Sequence, residues 1–473
     1  MIQAQQWSAA RRRTVRAASA GGVALATLLV GLVIGSGGIQ ARILVLGIVS
    51  VVTISFRPII GLYACYFLLL IVPYTDQRLD IPVFHSPLQM VAMITVAGAL
   101  LQHVASRRSL PKSRLYLPLA LVIAIYIMFA AVQHGDVPAV RAYDFLAGTW
   151  PLVLILLLVD PPRRARNVLF GMLSATVILT VLWLPGLISL STAGLDARYV
   201  VEPGAAAGTP AVSLLGAVGS LSVQTLVALA LVAPVLLGIG LSTPRWRVPS
   251  LLGFIVLGVT IFAATYASAV ATLIVGTITT VGLFLLPMGR ARPARVRSAL
   301  IVLPVIILLA AIGLSLKPGQ DAVYRLTNPR NDISGSARIT SLEEGWHAFL
   351  EEPLIGQGAY NTYYVTPDGW VLGGHNTFGV MAYEYGLLLL LPFLWMLWAM
   401  GRELTCLLRE AVTPVERGLG VGFLASLVAA IVTGFLTPTF AQVFQDTILW
   451  TLIGLAIVWN NWKAADPEAA LVA

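Results

Sequence analysis

The chain has 473 residues, of which 58% are hydrophobic and only 11% charged, and its formal net charge is +9. So few charges cannot cover a water-exposed surface of that length, and a mean hydropathy of +0.87 points to lipid as the solvent. Lys and Arg stand in short clusters between apolar runs, a topology signal that excludes nucleic acid as a partner. The two cysteines, Cys65 in an apolar run and Cys406 in a short basic stretch, support neither a disulfide framework nor a Cys-based metal site.

In chain order, the start MIQAQQWSAARRRTVR and the apolar run behind it resemble a signal peptide, but further runs follow at once and no small-residue cleavage site stands out. An uncleaved first helix is expected. Apolar runs long enough for a hydrocarbon core of roughly 30 Å recur almost from end to end. They predict spans near 18–36, 41–56, 58–74, 88–104, 115–133, 142–159, 167–188, 212–240, 250–267, 269–287, 299–315, 376–400, 418–436 and 443–460. The expected fold class is therefore all-α, a polytopic integral membrane protein of about 12–14 transmembrane helices forming a single membrane domain over residues 1–473. The least marked joints are at Arg57, between the second and third runs, and around Ser268, where no charge, Gly or Pro interrupts the pattern.

With the N-terminus on the cytoplasmic side, 22 of the 30 basic residues fall on one side of these spans, as the positive-inside rule requires. Both termini are then expected to be cytoplasmic and residues 316–375 to form one long outer loop. The eight basic residues left outside are Arg42, Arg78, Arg141, Arg198, Lys317, Arg325, Arg330 and Arg338. A cation retained where topology disfavours it is a candidate for binding an anion, although a scattered surface ion pair explains any single one equally well.

A loop of this length is a folded cap rather than a connector. Ser334 or Ser336 can cap a helix from about 337 to 351 that Pro353 ends, and Ile339, Leu342, Trp346 and Phe349 form a stripe able to lie on the outer end of the bundle. At about 100° per residue, Arg338 lies at the edge of that stripe and His347 points away from it. Pro353 to Gly358 reads as a turn in which Gly356 and Gly358 allow close backbone approach to a ligand or to another element. His375 follows two glycines, precedes Asn376 and opens an apolar span, a position that suits a general base and is also ordinary for an interfacial histidine. Glu384, inside that span, is a second base candidate or a structural carboxyl, about 13 Å further along a straight helix. No H-E-x-x-H, D-x-D, Walker loop or nucleophile elbow occurs on the outer side, which disfavours metal and nucleotide mechanisms. A transferase there needs an already activated donor such as a lipid pyrophosphate, its leaving phosphates held by cationic side chains.

These residues resemble the O-antigen ligases and O-antigen polymerases, polytopic bacterial envelope glycosyltransferases of the GT-C type. The likeness rests on Arg338 to Leu342 as R-x-x-x-L, on the string Trp346, Pro353, Gly356 and Gly358, on His375 and Asn376 with Gly386 at the expected separation, and on Arg198 in the preceding outer loop. Three residues past Gly386 the family pattern has Gly, Thr or Tyr, and this chain has Leu389. The resemblance implies transfer of a glycan, with inversion and without metal or other cofactor, from undecaprenyl pyrophosphate to an acceptor sugar hydroxyl at the outer face of the bacterial inner membrane. The acceptor is a glycolipid core in ligases and another lipid-linked glycan in polymerases, the latter working beside a chain-length regulator. By the same likeness His375 deprotonates or orients the acceptor and Arg338 and Arg198 hold the pyrophosphate, while Glu384, from its place in the span, stays the alternative base. Ligase and polymerase remain equally open. A flippase or transporter of lipid-linked glycans is the rival reading from another class, and a non-catalytic scaffold of an envelope complex is a third.

Overall fold

Runs of Leu, Val, Ile and Ala with almost no charge satisfy every backbone hydrogen bond internally when they coil as helices, which is what lipid demands of a spanning segment. The computed structural model follows that rule. It describes residues 51–71, 87–106, 109–133, 142–159, 162–192, 223–286, 292–358, 364–365, 371–372, 376–437 and 443–465, apart from 144, 147, 265 and 332. The expected span at 18–36, most of that at 41–56, and the loop holding Arg198 lie outside the described residues.

The helices are α1 (Pro58–Ile71), α2 (Pro87–Ser106), α3 (Tyr116–Val132), α4 (Trp150–Leu158), α5 (Pro162–Thr192), α6 (Val223–Ser242), α7 (Arg247–Ala263), α8 (Ala267–Leu285), α9 (Arg292–Ser315), α10 (Lys317–Thr327), α11 (Ile333–Glu351), α12 (Thr377–Arg409), α13 (Pro414–Gly434) and α14 (Val443–Ala465). A two-residue ribbon, β1 (Tyr364–Val365) antiparallel to β2 (Val371–Leu372), is the only sheet among the described residues. Five described helical segments are long and apolar enough to cross a membrane: Pro244–Ala263, Ala267–Leu285, Arg295–Ser315, Thr377–Arg409 and Pro414–Gly434. Three shorter apolar helices, Val91–Ser106, Tyr116–Val132 and Leu226–Ser242, accompany them. The protein is thus all-α and polytopic. Both weak joints are real breaks: the helix before Arg57 stops there and α1 starts at Pro58, while Ala264 and Tyr266 leave helical geometry between α7 and α8.

The core is built around α6, which is apolar on all sides and buried from Leu226 to Ile239. It packs on α13 at glycine distance. A Cβ on Gly238 would strike the carbonyl oxygen of Gly418, and one on Gly422 would lie 2.6 Å from the Cα of Val235. Small residues allow this approach, and dispersion between the touching backbones replaces the hydrophobic drive that lipid does not supply. The helix α9 differs, since Leu300, Ile301, Leu303, Ile307 and Leu308 all face outward, as on a helix at the lipid boundary.

Polar ties gather at one end of the bundle. Asn461 exchanges hydrogen bonds with the backbone of Lys112, Glu403 accepts from Ser113 and from Asn460, and Arg247 donates to the carbonyl of Gly240 at 3.1 Å. The sequence clusters at Lys112–Arg114, Arg245–Arg247, Arg292–Arg297, Arg402–Arg417 and Lys463 meet at this end, and α10 and α11 lie at the other.

Two glycines separate the packing argument from a general cost of mutating helices. Gly238→Val should lower the thermal midpoint of the purified protein by several degrees or abolish monodisperse elution. Gly282→Ala, where an added Cβ meets nothing within 4 Å, should be neutral or slightly stabilising, because alanine favours helix by roughly 1 kcal/mol over glycine. Equal effects of the two changes would refute close packing at Gly238.

Candidate functional site

The long helix α12 is broken. Gly386 has φ 64° and ψ −161°, a conformation essentially restricted to glycine. The consequence is visible in Phe378 and Phe393, whose rings are 6.0 Å apart although fifteen residues of straight helix would separate them by roughly 22 Å. The first arm, 377–385, therefore folds back toward the second, 387–409.

A broken helix exposes backbone donors and acceptors that must find partners. Here the turn from Pro353 to Gly358 supplies them. Gln357 and Gly358 donate their amides to the carbonyls of Tyr383 and Glu384 at 2.8 and 2.9 Å, and the amides of Leu387 and Leu388 donate to the carbonyls of Pro353 and Leu354 at 2.8 and 3.0 Å. Gly356 and Gly358 both have positive φ, and a Cβ on Gly356 would lie 2.6 Å from the backbone of residues 383–385. A Cβ on Gly386 would in turn lie 2.5 Å from Leu354. The close approach read at these glycines is therefore made by two backbone segments, not by a ligand. Tyr385 completes the junction by packing edge-on to Tyr126 and Phe129, with ring centres 5.2 and 4.9 Å apart.

The helix α11 runs parallel to the first arm of α12. A Cβ on Gly345 would touch Tyr383, and one on Gly379 would touch Leu342, so the register advances together along both helices. One turn earlier, this register brings Arg338 on α11 level with the start of α12. There Asn376 is the N-cap, its Oδ1 accepting from the amides of Phe378 and Gly379 at 3.0 and 3.1 Å, while its Nδ2 is buried without a hydrogen-bond partner among the described residues. Phe378 stacks on Phe435 at the end of α13, centres 4.4 Å apart, which fixes this helix start against the bundle.

Each expected residue can now be located. Gly356, Gly358 and Gly386 form the junction, and Asn376 caps the first arm. Arg338 belongs to α11, and His375 and Arg198 lie outside the described residues. Glu384 is fully buried at the break, under the 353–358 turn, and eight residues of helix separate it from Asn376. The break falls after Glu384, so it does not carry that residue to the helix start.

Two expectations need correction. The cap helix begins at Ile333, not near 337, so Ser334 and Ser336 lie within its first turns. Gly345 is its buried contact, on Tyr383; Leu342 touches Gly379 but is largely exposed, and Trp346 is exposed to 57%, with the ring of Phe349 5.5 Å from that of Trp346. A glycine makes no mark in an apolar stripe, yet it permits the closest contact, which is why the stripe, of which Ile339 and Phe349 are half-buried and Leu342 reaches Gly379, did not include the most buried position. His347 is exposed, as its helical angle predicted.

The sequence reading missed Asp446, which is 1% exposed in the first turn of α14 and lies within 2.9 Å of a Cβ built on Gly148. An acid inside an apolar run was the available signal. Among the described residues no group of three or more His, Cys, Asp or Glu could hold a metal ion.

Fold and site together define a polytopic all-α membrane protein with a helical cap docked on a broken span. Residues 259–394, which include α11, the 353–358 turn and the break at Gly386, match the family model described as O-antigen ligase. The match supports placement in the O-antigen ligase superfamily and a glycosyltransferase-type function in O-antigen assembly. No curated protein matches the chain.

The junction makes a direct prediction. Gly386→Ala forces a left-handed backbone worth roughly 1 to 2 kcal/mol onto alanine and adds a clash with Leu354. Its thermal midpoint in detergent should fall well below wild type, and Gly356→Ala should do the same. A wild-type midpoint for both would mean that the turn does not hold the break.

Proposed function

We propose that the protein transfers a glycan from an undecaprenyl-pyrophosphate donor to an acceptor sugar hydroxyl at the outer face of the bacterial inner membrane, without a metal ion and with inversion at the anomeric carbon. One observation carries this reading: the parallel register of α11 and α12 brings the helix position of Arg338 level with the helix start that His375 immediately precedes. A guanidinium suited to phosphate is thus carried on α11 at the level where α12 starts, and an imidazole suited to proton transfer is the residue just before that start in the sequence.

In this mechanism His375 takes the proton of the acceptor hydroxyl. The oxygen attacks the anomeric carbon from the face opposite the pyrophosphate, and the bond from that carbon to the pyrophosphate oxygen breaks. Arg338 and Arg198 stabilise the charge left on the lipid pyrophosphate. The N-terminal end of α12 adds partial positive charge on the same side of the site. Outward-facing apolar helices such as α9 suit a donor whose isoprenoid chain stays in lipid. In topology, residues 316–375 are the extracytoplasmic part and both termini are cytoplasmic, supported by the gathering of the basic clusters at the opposite end of the bundle.

The test uses purified protein with a lipid-linked glycan and an acceptor. His375→Ala should lose about 10² to 10⁴ in rate. Arg338→Ala should lose roughly 2 to 4 kcal/mol of transition-state stabilisation, and Arg338→Lys should not restore full activity because the planar fork is gone. His347→Ala should be nearly silent, and excess EDTA should leave the wild-type rate unchanged. Full activity of both His375→Ala and Arg338→Ala would remove these residues from the mechanism, and no transfer by wild type, with lipid-linked glycan crossing the membrane only when the protein is present, would replace this reading with the transporter. For topology, Tyr324→Cys on the exposed face of α10 should react with a membrane-impermeant thiol reagent in intact spheroplasts. Labelling only after permeabilisation would invert the assignment.

A further inference from the structure

The cap helix α11 is divided lengthwise into three sectors. Counted from Gly345, which packs on Tyr383, the residues Leu342, Trp346 and Leu350 lie about 60°, 100° and 140° round the helix, and all three are exposed. Glu343, His347, Glu351 and Glu344, also exposed, follow from about 160° to 260°. Half-buried Ala348 and Phe349 stand on either side of Gly345 and complete the bundle-facing sector. One sector therefore meets protein, one is charged and suits water, and the apolar one lies exposed between them.

The apolar sector does not end with the helix. Leu354 and Ile355, in the turn behind it, are exposed as well, Leu354 to 69%, and the carbonyl of Leu354 accepts the amide of Leu388 at 3.0 Å. Leu388 begins an outward stripe of α12 that continues through Leu391, Trp395 and Trp398 at helical spacing, all exposed on a segment long and apolar enough to cross a membrane. The surface that α12 offers to hydrocarbon thus passes directly onto the cap.

We propose that α11 is an in-plane membrane helix whose Trp346 and Leu350, together with Leu354 and Ile355, insert into the acyl boundary of the leaflet on the cap side. Continuity with the stripe of α12 identifies the occupant of this face as bilayer hydrocarbon. A helix with one apolar and one charged face rests at that boundary, and an indole ring is favoured there. From Leu342 to Ile355 the chain has four Glu and no Lys or Arg. The attachment therefore draws on apolar area alone, gains nothing from anionic headgroups and does not weaken with salt. It requires that α12 crosses the membrane, and it stands or falls separately from the glycan-transfer reading.

The experiment is spin-label accessibility in the full-length protein, reconstituted in phosphatidylcholine or phosphatidylglycerol nanodiscs, with Cys65→Ala and Cys406→Ser removing the two native thiols. Nitroxides are attached at Trp346→Cys, at Leu350→Cys, at Glu344→Cys on the charged sector and at Ile307→Cys on the outward face of α9. Collision with lipid-soluble oxygen, relative to a water-soluble nickel chelate, should be several-fold higher at positions 346 and 350 than at 344, on the side of the lipid-facing control at 307. The ratios should be the same in both lipids. Where Trp346→Cys does not fold, Leu350→Cys decides. Equal access of the chelate to 344, 346 and 350 would place the sector in water and overturn the proposal. Protection of 346 and 350 from both reagents would also overturn it, because protein, either another part of this chain or a second copy, would then be the occupant. A ratio that rises at these positions only in phosphatidylglycerol would replace apolar insertion with attraction to charged headgroups.

Discussion

The cap and the bundle are joined by four backbone hydrogen bonds across the break at Gly386, and the geometry of the site depends on them. A transmembrane helix interrupted in a low-dielectric region leaves amides and carbonyls that cost several kcal/mol each if unpaired. The turn from Pro353 to Gly358 satisfies two carbonyls before the break and two amides after it. The break and the turn therefore require each other: without the turn, α12 would close into a straight helix, and without the break, the turn would have nothing to bond. Because α11 leads directly into that turn, its position along the first arm of α12 is set by the same bonds. The alignment of Arg338 with the capped helix start is thus a result of backbone pairing, which does not vary with side-chain rotamers.

Much of this was legible in the sequence, because lipid imposes a strict grammar on apolar runs. The helix joints at Arg57 and at 264–266 were found from run length and positive-inside bookkeeping alone, even without a Gly or Pro at the second of them. The glycines at 356 and 358 were legible as positions of close backbone approach and Gly386 only by its spacing from His375 in the resemblance, and the three were not legible as one junction. Nothing local in sequence says that a turn thirty residues upstream will repair a break in a later helix. The fold-back of α12 was hidden for the same reason: the residues around Gly386 are Tyr, Leu and Glu, and in composition they continue the helix. Glu384 illustrates the effect. On a straight span it is an isolated acid deep in lipid; in the folded chain it is two residues from the break, enclosed by the turn.

The two ends of the bundle solve the same electrostatic problem in opposite ways. At the end with the basic clusters, side chains close the network: Glu416 ties α13 to Lys463 and Trp459 of α14, and Glu403 ties α12 to the 112–114 loop and to Asn460. Removing one member of a buried pair such as Glu416 and Lys463 strands a charge, a cost of about 3 to 5 kcal/mol, so this end is held rigid by mutual dependence. At the cap end, the helix ends and the break are closed chiefly by backbone bonds and by aromatic packing of Tyr385, Phe378 and Phe435. Closure of the break thus rests on backbone bonds and ring packing, whereas closure of the opposite end rests on charged side chains.

The exposed apolar residues of α11 follow from this division. Trp346, Leu350, Leu354 and Ile355 are all exposed on the cap, while the neighbouring Gly345 makes the bundle contact. A large apolar patch on a water-facing cap would be a liability. On a cap lying at the membrane surface it is a second anchor, since a tryptophan is most stable where its ring meets hydrocarbon and its indole N–H meets the headgroups. Two kinds of contact then act on one helix: the 353–358 turn fixes its register on the first arm of α12, and lipid fixes its height above the bilayer. Under the proposed function Arg338, one turn before the Leu342 contact with the first arm of α12, would be held at the level of the donor's phosphates.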